Sequence, residues 1–176
     1  MNYFELYELP LSFGLDEAQL KRKFYELSKR FHPDFYINES AEKQAEILEL
    51  STLNNKAYQV LSDPSKRIAY VLELKGLLTE DESYQLPKDF LMEMMEVNEA
   101  LMEMEFDKDE NTLQEIVGRV TAMEQAIQDE LVACTRALSD ANDAQQHDLY
   151  LKMKDIWYRQ KYLLRIRESL NRFAAR

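Results

Sequence analysis

His32 and Asp34 flank Pro33 in the stretch SKRFHPDFY (28–36). An imidazole and a carboxylate two residues apart could work as an acid–base pair. Each could instead bind another protein. A carboxylate takes an arginine through two hydrogen bonds, and an imidazole donates or accepts one. A third reading needs no function at all: the proline stops a helix and the aspartate stabilises the turn that follows. The choice depends on the elements that hold these residues.

A short helix over about residues 3–8 ends at Pro10, and Asp16 caps a second helix. In that helix Leu20, Phe24, Leu27 and Phe31 recur at i, i+4, i+7 and i+11, one apolar stripe. Arg22, Tyr25, Glu26 and Lys29 fall on the opposite side, flanked by Lys21, Lys23 and Arg30. Arg22 and Lys29 are seven apart, so both can meet one acidic patch. Arg22, Glu26 and Arg30 are four apart and could equally support one another as a solvated ladder. His32 precedes a proline and is pushed out of helical geometry. Asn38-Glu39-Ser40 offers caps for a third helix with Leu50, Leu53, Ala57 and Leu61 facing inward, and Asp63-Pro64 ends it. A fourth helix over roughly 65–75 stops at Gly76.

Residues 77–87, LLTEDESYQLP, read as an acidic connector. Beyond it come three apolar runs. They are Phe90, Met94, Val97, Leu101 and Met104; Leu113, Ile116, Val120, Met123, Ile127, Leu131, Cys134 and Leu138; and Leu149, Met153, Ile156, Leu163, Ile166, Leu170 and Phe173. Their members recur three, four or seven residues apart, and EFDKDEN and SDANDAQ separate them, so an antiparallel three-helix bundle is expected. Three glycines and four prolines in 176 residues agree with an all-α chain. The expected division is 1–76, a connector 77–87, and a bundle 88–176.

The formal charge of −11 argues against sequence-independent binding to nucleic acid or to an anionic membrane. Residues 77–115 hold thirteen acidic residues against Lys88 and Lys108, so that segment carries the whole net charge. One cysteine and no apolar leader in MNYFELYELP point to a reducing compartment, the cytoplasm.

LKRKFYELSKRFHPD (20–34), followed by LNNKAYQVLSDPSKRIAYV (53–71), resembles the J-domain family of co-chaperones in the order and spacing of its motifs. The resemblance implies a surface that docks on a DnaK-type ATPase chaperone and stimulates its ATP hydrolysis. His32, Pro33 and Asp34 would make the stimulating contact, and Lys21, Arg22, Tyr25, Lys29 and Arg30 would steer and hold the chaperone. Phe35 departs from the family, where a lysine is common. No glycine/phenylalanine-rich linker or Cys-x-x-Cys repeat follows, unlike general DnaJ proteins. Instead PKDFLMEMMEVNEALMEME (87–105), the N-terminal MNYFELYELP and the length resemble HscB-type co-chaperones. That family implies an IscU-type iron–sulfur scaffold as client, delivered to a DnaK/HscA-type chaperone for release of the assembled cluster.

The 88–106 helix supports a docking role in its own pattern. Leu91, Met92, Met95 and Met102 are apolar residues outside the core stripe, and Met92, Met95, Glu96, Glu99 and Glu103 form a second face. Adaptable methionines edged by carboxylates suit a basic, apolar partner. The methionines could also pack on the J-domain-like unit or a neighbouring helix, the acids being a solvated face, or the row could mediate self-association. The family's last helix adds an aromatic client contact, for which Trp157 or Tyr158 is the nearest match. Asp107, Asp109 and Asn111 imitate an EF-hand start but lack its glycine and its final glutamate, so no calcium site is expected. No zinc ligand set, cofactor motif or nucleophile–base pair is visible. The expected function is a non-enzymatic co-chaperone for iron–sulfur cluster assembly, the alternative being a J-domain protein for another client.

Overall fold

The computed structural model describes residues 1–175, and among them there are seven α-helices, one 3-10 turn and no strand. The helices are α1 (Tyr3–Leu6), α2 (Glu17–Arg30), α3 (Ala41–Leu61), α4 (Pro64–Leu74), α5 (Lys88–Phe106), α6 (Glu110–Leu138) and α7 (Asp143–Ala174). They form two compact units, Met1–Lys75 and Gly76–Arg176.

In the first unit, α1 is shorter than its apolar pattern predicts. Glu8 takes a left-handed φ of 55°, and Leu9 N–H donates back to the Phe4 carbonyl at 2.9 Å, closing the helix end. Lys23 of α2 holds the Glu8 carboxylate at 2.6 Å. Asp16 caps α2, and Leu20, Leu27 and Phe31 are buried as expected, while Phe24 is half-buried and stacks on Tyr58 at 4.3 Å.

The inward stripe of α3 departs from the expected set. Ile47, Ala57 and Leu61 are buried, Leu50 and Leu53 are only half-buried, and Asn54 sits in the core at 1% exposure. Its side chain is committed at both ends. The buried Tyr7 hydroxyl donates to Asn54 Oδ1 at 2.7 Å. Asn54 Nδ2 donates to the Phe24 carbonyl at 3.2 Å and to Ser28 Oγ at 3.0 Å. One amide therefore joins α2, α3 and the end of α1. Burial pushes the Tyr7 phenol well above the ordinary tyrosine range, so it stays a donor. Arg67 of α4 is also buried and donates to the Leu61 carbonyl at 2.7 Å, capping the end of α3.

In the second unit, three helices turn back on one another through residues 107–109 and 139–142, and the expected stripes meet, except that Met123, Leu138 and Leu149 are only half-buried. Phe90, Met94, Val97, Leu101 and Met104 of α5 are buried, as are Leu113, Ile116, Val120, Ile127, Leu131 and Cys134 of α6. From α7 come Met153, Ile156, Leu163, Ile166, Leu170 and Phe173. Burying each such side chain stabilises by roughly 1.5–3 kcal/mol.

Residues 77–87 lie in this second unit and are tied to α7. Glu82 accepts from Lys154 Nζ at 2.9 Å and from the Tyr158 hydroxyl at 2.8 Å. The Tyr84 hydroxyl donates to Asp155 at 2.6 Å, and its ring stacks on Tyr158 with centroids 4.3 Å apart. A segment that reads as a connector is thus clamped by polar groups 71 to 76 residues away.

Tyr7→Phe and Asn54→Leu should each lower stability by about 1–3 kcal/mol in urea unfolding, because each leaves a buried polar partner unpaired. The double variant should cost clearly less than the sum, and strict additivity would show that the two side chains are not coupled. Burial raises the Glu82 carboxyl, but its bonds to Lys154 and Tyr158 outweigh that and hold it below its ordinary 4.5. Its clamp is therefore at full strength above that value and is lost as pH falls through the depressed one. Trp157, the sole tryptophan, meets the Tyr158 ring edge-on at 4.9 Å and reports the change. Its emission should shift below about pH 4.5, and Glu82→Gln should shift it already at neutral pH and flatten the acid step.

Candidate functional site

The His-Pro-Asp stretch forms a built turn at the end of α2. His32 is extended (φ −72°, ψ 123°), and Pro33–Tyr36 is one turn of 3-10 helix with His32 as its N-cap. Asp34 N–H donates to His32 Nδ1 at 3.3 Å, so Nδ1 is engaged within the turn and Nε2 is the ring nitrogen left for a partner. The Asp34 carboxylate is 3.7 Å from Nδ1, beyond hydrogen-bond reach, and the two side chains are 53% and 84% exposed. Two solvated groups out of bonding distance do not make an acid–base dyad. They make a donor and an acceptor facing outward.

Three side-chain bonds that the apolar pattern does not reveal pin this turn. The Tyr36 hydroxyl donates to the Arg30 carbonyl at 2.8 Å, fastening the turn to the last residue of α2. Gln44 of α3 donates to the Ile37 and Glu39 carbonyls at 3.3 and 2.9 Å. Tyr36 and Gln44 are polar residues in a loop and on a solvated helix face, where spacing carries no signal. Phe35 is 69% exposed, with its ring edge toward His32 at 5.9 Å.

Lys21, Arg22, Tyr25, Lys29 and Arg30 are all exposed on α2. Among the described residues none of the four cations is ion-paired, and the Arg22–Glu26–Arg30 ladder is not formed. Only Lys23 of this helix has a carboxylate partner. Arg30 lies over the Phe31 ring at 5.5 Å. Unpaired cations keep their long-range field, which is the property a steering surface needs.

On α5, Met92, Met95 and Met102 are 59%, 62% and 65% exposed, with Glu99 and Glu103 exposed among them. The core stripe centres on Met94 and Val97, so this row lies on the far side of the helix. Leu91 is half-buried at its edge. Glu96 is not free, for Arg119 of α6 donates to its carboxylate at 2.5 Å. That pair is exposed and contributes about 0–1 kcal/mol, so a charged partner can displace it.

Trp157 makes its ring contacts with its own helix. It is half-buried, Lys161 lies over its ring at 5.0 Å, and its nearest aromatic neighbour is Tyr158, which is occupied by Glu82 and Tyr84. The α7 aromatic that meets α5 is Tyr162, about 140° around the helix from Trp157. Its hydroxyl accepts from Asn98 Nδ2 at 3.2 Å, and its ring meets Phe90 edge-on at 5.9 Å. Tyr162 sits one residue from Leu163 and four from Ile166 of the buried stripe, the one sequence signal that marks it as a seam residue.

The EF-hand-like run has a structural use. Asp109 caps α6, accepting from Asn111 N–H at 3.1 Å and the Thr112 hydroxyl at 2.8 Å. Cys134 is buried, and burial pushes its thiol up. Among the described residues no three His, Cys, Asp or Glu side chains gather as metal ligands, and no helix is long and apolar enough to cross a membrane.

Comparison with known proteins agrees with both surfaces' host domains. Residues 2–70 match the DnaJ domain, and residues 86–171 match the HscB C-terminal oligomerisation domain. The co-chaperone protein HscB homolog of Vibrio vulnificus (strain YJ016) is 38% identical over 159 residues, 89% of this chain and 91% of the relative. The Vibrio cholerae homolog is 40% identical over 126 residues, 70% of this chain and 74% of that protein. The solved chaperone HscB from Vibrio cholerae superposes with a TM-score of 0.72 at 31% identity, covering 99% of this chain and 98% of that one. Human co-chaperone HscB gives 0.75 at 30% identity, covering 97% and 81%. A DnaJ domain bearing the His-Pro-Asp turn, joined to this C-terminal domain and matched along nearly its whole length, makes the chain a member of the HscB family of J-domain co-chaperones.

Proposed function

We propose that this co-chaperone binds an IscU-type iron–sulfur scaffold protein through α5 and delivers it to a DnaK/HscA-type chaperone, whose ATPase the J-domain stimulates. The observation that carries the chaperone half is the unpaired cationic face of α2 ending in a pinned turn that holds out His32 and Asp34. A pinned turn loses little freedom on docking, so its few polar contacts are not offset by ordering it. Asp34 offers a carboxylate for an arginine, His32 offers Nε2, and Lys21, Arg22, Lys29 and Arg30 attract an acidic surface at a distance. Tyr25, 59% exposed among those cations, adds an aromatic anchor.

The client half rests on Met92, Met95, Glu99 and Glu103, with Leu91 and Tyr162 at the edge of the row and Glu96 available once Arg119 yields. Methionine adapts to an irregular apolar surface, and the carboxylates select a basic one. Tyr162, which meets Asn98 and Phe90 of α5, is the aromatic the geometry favours for the proposed site, with Trp157 or Tyr158 of the same helix as the place the family resemblance implies. The HscB names of the relatives support iron–sulfur assembly as the setting.

Each half has its own test. His32→Gln should fold like the parent by circular dichroism yet leave a partner DnaK-type ATPase at its basal rate, because the imidazole packs against nothing in the core. Full stimulation by this variant would refute the chaperone contact. Met92→Ala with Glu96→Ala should weaken binding to an IscU-type scaffold by about tenfold or more in calorimetry. Met92 should account for most of it, since Glu96 is already engaged by Arg119. No binding by the parent protein would sink the client assignment.

A further inference from the structure

The exposed apolar row of α5 continues past Glu103. Between the last turns of α5 and α7 lies a groove of about 630 Å³. Buried Leu101 and Phe173 and exposed Met102 and Phe106 line it together with Glu105, Arg172 and Ser169, whose hydroxyl accepts from Arg172 Nη2 at 3.1 Å. Asn98, whose amide donates to Tyr162, also lines it, so the groove extends the α5–α7 seam directly from that contact.

Phe106 is 92% exposed, the most exposed of the large apolar side chains among the described residues. Single exposed apolar residues are ordinary, but Met92, Met95, Met102 and Phe106 run along one side of one helix and end at a concavity. An aromatic beside a preformed apolar groove has the composition of an interface anchor.

We infer that this groove is a second subsite for the same client, taking an apolar side chain flanked by a basic residue; this rests on the client reading proposed above. Charge decides the occupant. Glu99, Glu103 and Glu105 run along α5 toward the groove, and Asp107 and Asp109 lie just beyond it in the chain. A basic partner is attracted to all of them. A second copy docked α5 against α5 would set its own carboxylates against these, from a segment with thirteen acidic residues and two basic ones. Arg172, the one cation lining the groove, can take a backbone carbonyl or carboxylate of the client and fix its direction.

The test uses the full chain and an apo IscU-type scaffold in calorimetry. Phe106→Ala should raise Kd about fivefold or more, and Phe106→Ala with Met102→Ala should raise it further. Thermal unfolding should not change, because both side chains are exposed, and client-free ATPase stimulation should equal that of the parent. With p-benzoylphenylalanine in place of Phe106, irradiation should give a covalent adduct with the scaffold. If Phe106→Ala binds like the parent while Met92→Ala is weakened, the groove inference falls and the client reading stands. If the parent itself does not bind the scaffold, both fall. If Phe106→Ala alters only sedimentation, the groove is a contact between copies and the inference is overturned.

Discussion

The amide of Asn54 is the joint on which the first unit hangs. Its oxygen accepts a hydrogen bond from the buried Tyr7 hydroxyl, and its nitrogen donates to the Phe24 carbonyl and Ser28 Oγ across the helix hairpin. A buried amide left unpaired costs about 1–3 kcal/mol, so the three partners have one low-energy arrangement. Apolar contacts between α2 and α3 could slide or rotate with little penalty, whereas a hydrogen-bonded polar group in the core fixes the register. That register decides which side of α2 faces water. With Leu20 and Leu27 turned in, Lys21, Arg22, Tyr25, Lys29 and Arg30 stand outside together, and the helix delivers His32 to the same end of the hairpin.

The turn itself is held by groups that add little to stability. Tyr36 bonds the end of α2 and Gln44 bonds the loop from α3, all at the surface where water competes. Their effect is on conformational freedom rather than on folding energy. Pro33 restricts one dihedral, His32 Nδ1 accepts from the Asp34 amide, and the two anchors restrict the rest. A loop of this kind keeps its donor and acceptor in place without burying either.

Charge is used differently in the two units. Lys21, Arg22, Lys29 and Arg30 of α2 are left unpaired, while Glu96 of α5 is held by Arg119 and Glu82 by Lys154. An exposed pair such as Glu96–Arg119 is worth about 0–1 kcal/mol, too little to order a bundle whose core is apolar on all three helices. It does set how strongly a partner must compete for that carboxylate. The Glu82 clamp is more sheltered and joins the connector to α7 through both an ion pair and the Tyr84–Tyr158 stack.

The two helical domains, most of their stripes, the caps at Asp16 and Ser40, and the stops at Pro33 and Pro64 were legible in the chain because each depends on neighbours within a turn or two. So was the exposed side of α5, since apolar residues outside a core stripe have no local reason to be there. What spacing could not reveal were contacts between residues far apart in sequence. Asn54 looks like a surface residue until Tyr7, 47 positions away, supplies its partner. The 77–87 segment looks like a free connector until α7 closes on it. Trp157 and Tyr162 are both aromatics on an amphipathic helix, and only the rotation of α7 about its axis decides that Tyr162 meets Asn98 and Phe90. Local rules fix which side of each helix is apolar, because that follows from 3.6 residues per turn. Which polar groups on the remaining sides find one another is set by how the helices pack, and that is a property of the folded chain alone.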